Sequence, residues 1–338
     1  MRNGFTLIEL LAVIVIISVI SIITVPATLS SIQNTRTASL KEIENNLKRA
    51  TENYLVINNY YMPKEIGEDF KISVADLHTY SYIKKVTDYG SDCNGFVRVV
   101  KLDLHNIDFE PYINCLTGYK TNNLVGYYDL DNDLLDKTSS NRNGTNTNVV
   151  FQTDGLNKVA YFNGTSQIVF NDIYNNASLN KLFVGRSPSN IGNNNENSTY
   201  MAWFKASTLD LTARSIFDDG NLGEGTIRVF NNRILASWGG TNSISYNTTI
   251  NTNQWYHVVM THEYNTQTGQ YILNLYVDGI LRGTNSIAVS SADAFYGPDT
   301  PMRVGNNFIG FIDEIRLYEK VLSSDEVLTQ YNLTRTGR

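Results

Sequence analysis

The chain has 338 residues, 42% hydrophobic and 18% charged, with 27 Lys and Arg against 33 Asp and Glu for a formal net charge of −6. That length leaves room for two domains at roughly 150 residues each, both able to bury a core. The acid excess, with no compensating basic run, excludes electrostatically driven nucleic-acid binding, and two cysteines exclude a disulfide-dense scaffold or a four-thiolate metal site.

The mean hydropathy of −0.24 hides a concentration of apolar residues at the N-terminus. Phe5 to Ala27 carries a single charge, Glu9. As a helix this run is about 35 Å long, enough to cross a bilayer core. A secretory signal peptide has a shorter apolar stretch and a cleavage site after it. A plain anchor leaves Glu9 without a role, at an insertion cost of up to ~2.5–3.5 kcal/mol. Pro26 lacks the N–H donor and clashes with the preceding turn, which predicts a kink or local melting there. Beyond it, Leu40, Ile43, Leu47, Ala50 and Tyr54 recur at three- and four-residue spacing, so Ser31 to Asn58 reads as an amphipathic helix.

The opening residues Met1-Arg2-Asn3-Gly4 and Phe5-Thr6-Leu7-Ile8-Glu9-Leu10 resemble the class III signal of type IV prepilins. The resemblance implies a leader of residues 1–4, cut by a prepilin peptidase between Gly4 and Phe5, and N-methylation of Phe5. It also implies a pilin domain over 5–122, whose 5–27 helix is transmembrane before assembly and forms the filament core afterwards. Glu9 then acts in filament assembly: a buried, unpaired α-amino group is costly, and a carboxylate on a neighbouring pilin subunit neutralises it. In that family a proline near the position of Pro26 marks where the helix loosens as subunits enter the filament.

In the middle segment, Ser73 stands at the cap position of a short helix beginning Val74-Ala75-Asp76-Leu77, and Phe96 to Leu102 alternates as a half-buried strand. Tyr112-Ile113-Asn114-Cys115 and Tyr119-Lys120-Thr121 resemble the end of compact pilin heads. Cys93 and Cys115 lie 22 positions apart. Joined, they would contribute about 3–3.5 kcal/mol on the chain-entropy model; the alternative is two buried thiols.

The polar joint Thr121-Asn122-Asn123 marks a boundary. After it, short alternating runs end at turn signals: Val159–Phe162 before Asn163-Gly164, and Ile272–Val277 before Asp278-Gly279, with a new run from Ile280. Repeated short strands with such hairpin signals predict a sandwich. Ser323 to Glu326 reads as a capping box opening a terminal helix. Trp255 to Thr261, Leu275 to Gly279 and Gly310 to Tyr318, together with Tyr127 to Asp131 and Tyr161 to Gly164, resemble the laminin-G-like, concanavalin A-like jelly roll. The resemblance assigns residues 124–334 to that fold, which hosts glycan binders, protein binders and hydrolases alike.

The residues disfavour an enzyme. No Glu pair brackets an Asp in the manner of glycosidases on this fold, which need carboxylates about 5–5.5 Å apart. Asp313 and Glu314 are adjacent, so regular alternation points them to opposite faces. His78, His105, His257 and His262 show no metal-ligand spacing, and no nucleophile elbow or phosphate loop occurs. By resemblance, calcium is the candidate cofactor, with Asp131, Asp136, Asn141, Asn143 and Asp313 as oxygen donors. The alternative is an Asx-rich turn satisfying its own backbone, favoured by Arg142 where the family has a small residue. Trp203 and Trp255 fall in expected core strands; Trp238, beside Gly239-Gly240, is the candidate to stack on a sugar ring, with core packing the favoured alternative. The Asn-rich stretch 188–197 reads as an exposed insertion.

The expected architecture is therefore an α+β pilin, with a long N-terminal helix and a small antiparallel sheet, followed by an all-β concanavalin A-like sandwich. The expected role is a minor or tip subunit of a type IV pilus, single-pass in the membrane before assembly and at the cell surface after it. It would present the jelly roll for adhesion to a glycan or an extracellular protein. A passenger of this size on every subunit would crowd a filament. The alternative is a pseudopilin of a type II-like secretion or DNA-uptake machine with a substrate-handling domain.

Overall fold

The structure, a computed structural model, describes residues 35, 36, 38–115, 120–138, 142–155, 157–170, 197–218, 225–238, 242–288, 302–335 and 338. Gly4, Phe5, Glu9, Pro26, the 5–27 helix, Asn141 and residues 188–196 lie outside them. Among the described residues no helix is long and apolar enough to cross a membrane.

Helix α1 (38–57) buries the predicted stripe of Leu40, Leu47, Ala50 and Tyr54, with Leu55 added. It packs on a four-stranded antiparallel sheet made of β1 (Asp69–Ser73), β2 (Thr87–Asp88), β3 (Ser91–Lys101) and β4 (Ile107–Cys115). Strand β3 is central and pairs with the other three. Between β1 and β2, helix α2 (Val74–Thr79) starts where the Ser73 side chain accepts from the Asp76 N–H at 2.9 Å. Ile72, Val97, Val99 and Ile113 meet α1 in one apolar cluster. Cys93 and Cys115 face each other at the end of the β3–β4 ladder and are joined by a disulfide. Two residues on, Gly95 has φ +146° and lies so close to β4 that an added Cβ would sit 1.9 Å from the Tyr112 carbonyl oxygen. Only glycine satisfies both the backbone angle and that approach.

The chain then builds two stacked sheets from β5 (Leu124–Tyr128), β6 (Thr145–Thr147), β7 (Val150–Asp154), β8 (Asn157–Asn163), β9 (Gln167–Phe170), β10 (Ser198–Ala206), β11 (Arg214–Asp218), β12 (Thr226–Phe230), β13 (Arg233–Trp238), β14 (Asn242–Tyr246), β15 (Trp255–Asn265), β16 (Gln270–Val277), β17 (Ile280–Ala288), β18 (Met302–Val304) and β19 (Ile309–Tyr318). One sheet runs β17-β16-β15-β10-β19-β8-β7, with β5 also pairing β19; the other runs β14-β13-β12-β11-β18-β9-β6. Phe162, Tyr200, Phe204, Phe217, Ile234 and Phe308 are among the residues filling the space between them. This is the all-β sandwich of the concanavalin A-like type. The Asp278-Gly279 hairpin forms as predicted, with φ of +55° and +75° matching the twist of its strands. Ser323 and Glu326 form the capping box of α3 (Ser324–Thr334).

A second apolar layer covers the outer face of the eight-stranded sheet. Tyr127, Met201, Val259, Tyr276 and Tyr318 of that sheet pack with Leu322 and Val327 at α3 and with Phe96 and Tyr112 of the head. Alternation explains why one head sheet serves two partners: Val97 and Val99 turn to α1 while Phe96 turns to the sandwich. The order of layers is α1, head sheet, eight-stranded sheet, seven-stranded sheet.

Candidate functional site

The head meets the sandwich around a buried ionic network. Arg98 on β3 and Glu110 on β4 are cross-strand partners, and Glu314 and Arg316 stand on β19. The Arg98 guanidinium donates to Asp69 at 2.6 Å, Glu110 at 3.2 Å and Glu314 at 3.4 Å. Arg316, 0% exposed, donates to Glu314 at 3.0 Å, to the Tyr112 hydroxyl at 2.8 Å and to Gln330 of α3. The Tyr127 hydroxyl donates to Glu314 at 3.1 Å, and its ring lies 4.7 Å beneath Arg316. Beside this network, Lys71 of β1 reaches Asp129 just past β5 at 2.6 Å. Burial alone would raise the Glu314 carboxyl, but Arg98, Arg316 and Arg338 outweigh it and hold that group well below the usual carboxylate range. Buried ions cost several kcal/mol each unless their remaining donors and acceptors are satisfied, so this network fixes one docking geometry.

Asp313 and Glu314 depart from the expected alternation. The pairing of β10 with β19 shifts register between Met201 and Trp203, and Glu314 takes φ +51°. This bulge sends Ile312 and Ile315 into the core and both carboxylates to the outer face. Asp313 pairs with Arg338, and burial pushes its carboxyl up despite that cation. Each carboxylate is thus buried and engaged by arginine.

Four of the five expected calcium ligands are described, and each has its own surroundings. Asp136 Oδ1 accepts from the Tyr127 N–H at 3.2 Å, the Thr138 N–H at 2.9 Å and the Thr138 hydroxyl at 2.8 Å, while Oδ2 accepts from the Arg142 N–H at 3.3 Å. Asn143 Oδ1 accepts from the Asp136 N–H at 2.9 Å. Asp131, pushed up to about 7 chiefly by burial, sits 3.8 Å from Lys71, and Asp313 faces Arg338. Asp136 and Asn143 thus spend their oxygens on donors of their own loop, as in the Asx-rich alternative, while Asp313 keeps one carboxylate oxygen without a hydrogen-bond partner. Among the described residues no group of three or more His, Cys, Asp and Glu is placed to hold a metal ion.

Trp238 takes the core-packing alternative. It is 6% exposed, lies in the sandwich core and stacks on His262 with centroids 4.0 Å apart, so no face is presented to a sugar. Trp203 is buried, and its indole N–H donates to Thr334 at 2.7 Å. Trp255 is only half-buried, donating to Asp154 at 2.9 Å under the Lys205 ammonium. His257 is fully buried beside Trp203 and Tyr331, and its ring nitrogens have no hydrogen-bond partner. Burial, with Arg316 and Arg338 nearby, holds it down to about 3. His78 and His105 are exposed on the head, far from His257 and His262 in the fold.

The outer face of the seven-stranded sheet mixes polar side chains with Leu235, Phe230 and Val169. Ile227, Val229, Ile234 and Ala236 turn inward, leaving Thr226, Arg228, Leu235 and Ser237 outward. No described element lies across this face.

Residues 1–25 match the prokaryotic N-terminal methylation motif, and residues 186–328 match the laminin G family described as the concanavalin A-like lectin/glucanases superfamily. No curated protein matches the chain. Among solved structures, domain 4 of AbnA, a GH43 extracellular arabinanase from Geobacillus stearothermophilus in complex with arabinotriose, is 21% identical over 61% of this chain and 97% of that one, at a TM-score of 0.45. The receptor binding domain of botulinum neurotoxin D is 19% identical over 62% of this chain, at a TM-score of 0.44. The binding domain of Paraclostridial Mosquitocidal Protein 1 is 16% identical over 62% of this chain, also at 0.44. This chain spans about half the length of those two domains, 52% in each case.

Proposed function

We propose that the chain is a minor or tip subunit of a type IV pilus that carries the jelly roll as an adhesive domain for a glycan or an extracellular protein. A methylation motif at residues 1–25 and a lectin-like domain in one chain support a surface adhesive, pilin-like protein. The observation that carries the finer reading is the layer order. The head sheet gives one face to α1 and the other to the sandwich, and α1 meets α3 only across a cavity at the edge of the head, lined by Lys41, Glu44 and Lys48 on one side and Thr329, Gln330 and Leu333 on the other. Helix α1 keeps an outward face, with Glu42, Asn46, Arg49 and Asn53 exposed, for packing among other pilin subunits. In this reading prepilin peptidase cuts after Gly4 and methylates Phe5, and Glu9 neutralises the new amino group of a neighbour.

The test is a strain lacking the protein, scored for piliation, attachment to host or matrix surfaces, secretion and DNA uptake. Retained pili with lost attachment is the expected result. Intact attachment with lost secretion or transformation overturns the adhesive reading in favour of a pseudopilin.

A further inference from the structure

We propose that the seat filled by the Arg338 side chain, on the outer face of the eight-stranded sheet, is a recognition site for an arginine of a partner polypeptide, with Arg338 as its internal competitor. The proposal goes beyond the adhesive reading and does not depend on it.

The seat is built by register. Cross-strand pairing sets His257 of β15, Trp203 of β10 and Asp313 of β19 in one row. Met201 and Val259, each two residues away along its strand, belong to the outer apolar layer, so alternation puts Trp203 and His257 on that same face. The bulge at Glu314 brings Asp313 to it as well. Helix α3 forms the wall: the Tyr331 ring lies 5.6 Å from Trp203 and 5.7 Å from His257, and Thr334 fixes the Trp203 indole.

The chemistry is that of guanidinium recognition. The Arg338 guanidinium carbon lies 5.3 Å from the Trp203 ring and 5.6 Å from the Trp255 ring, and the group donates to Asp313 and to the Thr334 carbonyl. A planar cation against two indoles and a buried carboxylate suits arginine and not lysine, whose ammonium is a strongly hydrated point charge. Arg338 nevertheless fills the seat incompletely. Asp313 Oδ1, Arg338 Nε and both ring nitrogens of His257 are buried there without a hydrogen-bond partner. Asp210, by contrast, takes Arg214 Nε on one oxygen at 3.2 Å and Nη2 on the other at 2.6 Å. Arg338 has one Nη on Thr334 and offers Asp313 a single N–H. An arginine from another chain is free of α3 and can give both carboxylate oxygens a donor, which is the stronger pairing.

Two observations favour an arginine carried on a polypeptide. Arg338 is a half-buried residue whose side chain is only 5% exposed, so withdrawing that one side chain opens the seat to solvent. Beside the seat, Trp255, Lys205, Phe311 and Tyr161 form the next row across four strands, about 14 Å long, and all four are half-buried. This aromatic strip gives residues flanking the arginine a surface of the kind that anchors protein partners, and a free guanidinium compound would not use it.

The experiment titrates the full-length protein in detergent with the blocked peptide Gly-Arg-Gly, its lysine and citrulline analogues, and arginine amide, read by calorimetry and by tryptophan emission. Arg338→Ala should bind the arginine peptide at least tenfold more tightly than wild type, because a competitor lowers apparent affinity by the fraction of seats it leaves open. The lysine and citrulline peptides should bind at least tenfold more weakly than the arginine peptide. Adding Asp313→Asn to Arg338→Ala should abolish binding. Arg338→Gln replaces the Ala variant if that one melts below the assay temperature. No binding by either Arg338 variant, equal binding of the lysine peptide, or binding that survives Asp313→Asn overturns the proposal. Equal affinity in wild type and Arg338→Ala overturns the competitor role, and arginine amide binding as tightly as the peptide overturns the polypeptide partner.

Discussion

Arg98 and Glu314, 216 positions apart in the chain, meet at 3.4 Å in the buried junction between head and sandwich. The carboxylate also takes hydrogen bonds from Arg316 and Tyr127, so one group ties a head strand to two sandwich strands. Removing it leaves two buried cations short of an anion. Glu314→Ala should therefore cost about 3–5 kcal/mol. Urea denaturation should show a lower midpoint, with the head losing protection first in hydrogen exchange. An unchanged midpoint would place the network at the surface in solution.

The buried His257 gives a pH dependence whose sign is fixed. Its folded value of about 3 lies below the unfolded value of 6.5, so the unfolded chain binds the extra proton between those limits. The stability is complete above pH 6.5 and is lost as pH falls toward 3. At pH 5 the loss is about 2 kcal/mol relative to pH 7. Asp131, raised to about 7, acts with the opposite sign over part of that range. The measurement is accordingly a difference: wild type minus His257→Phe, which should fall as pH is lowered. A flat difference contradicts the buried neutral ring.

Chelation should leave the protein unmoved. The Asp136 oxygens are taken by N–H and O–H donors of their own loop, so EDTA should not shift the melting temperature. A drop of several degrees, restored by calcium, would show that this loop rearranges around a cation.

Trp238→Ala tests the placement of that ring. A large core side chain removed between Tyr200 and His262 should cost about 3–5 kcal/mol in thermal or urea unfolding. Ligand retention measured below the variant's melting temperature should persist. Selective loss of binding at full stability would return the ring to a sugar-stacking role.

The disulfide offers a further check. Replacing Cys93 and Cys115 together by Ser removes a link across 22 positions, worth about 3–3.5 kcal/mol, and the effect should match that of a reductant on the wild type.

The amphipathic stripe of α1, the Ser73 cap, the Asp278-Gly279 hairpin and the Ser323–Glu326 capping box were legible because each depends on local spacing or turn chemistry. The bulge was not. Nothing about Glu314 announces a left-handed backbone, so Asp313 and Glu314 were assigned to opposite faces. The docking of the two halves was also hidden, since a half-buried strand over Phe96 to Leu102 does not show that a second domain covers its other face. One signal was present: Arg98 inside Phe96–Val100 and Arg316 inside Ile315–Tyr318 are charges embedded in apolar runs, which calls for buried partners. The core-packing alternative for Trp238 was legible in strand alternation, which turns it inward with Ile234 and Ala236.

Display of the sandwich on an assembled filament is the claim on which the rest depends, and immunogold labelling of intact piliated cells, with antibodies raised against the sandwich, tests it most directly. Gold along pili, concentrated at few positions or at their ends, is the predicted result. Label confined to the cell membrane of a strain that makes pili would contradict the account.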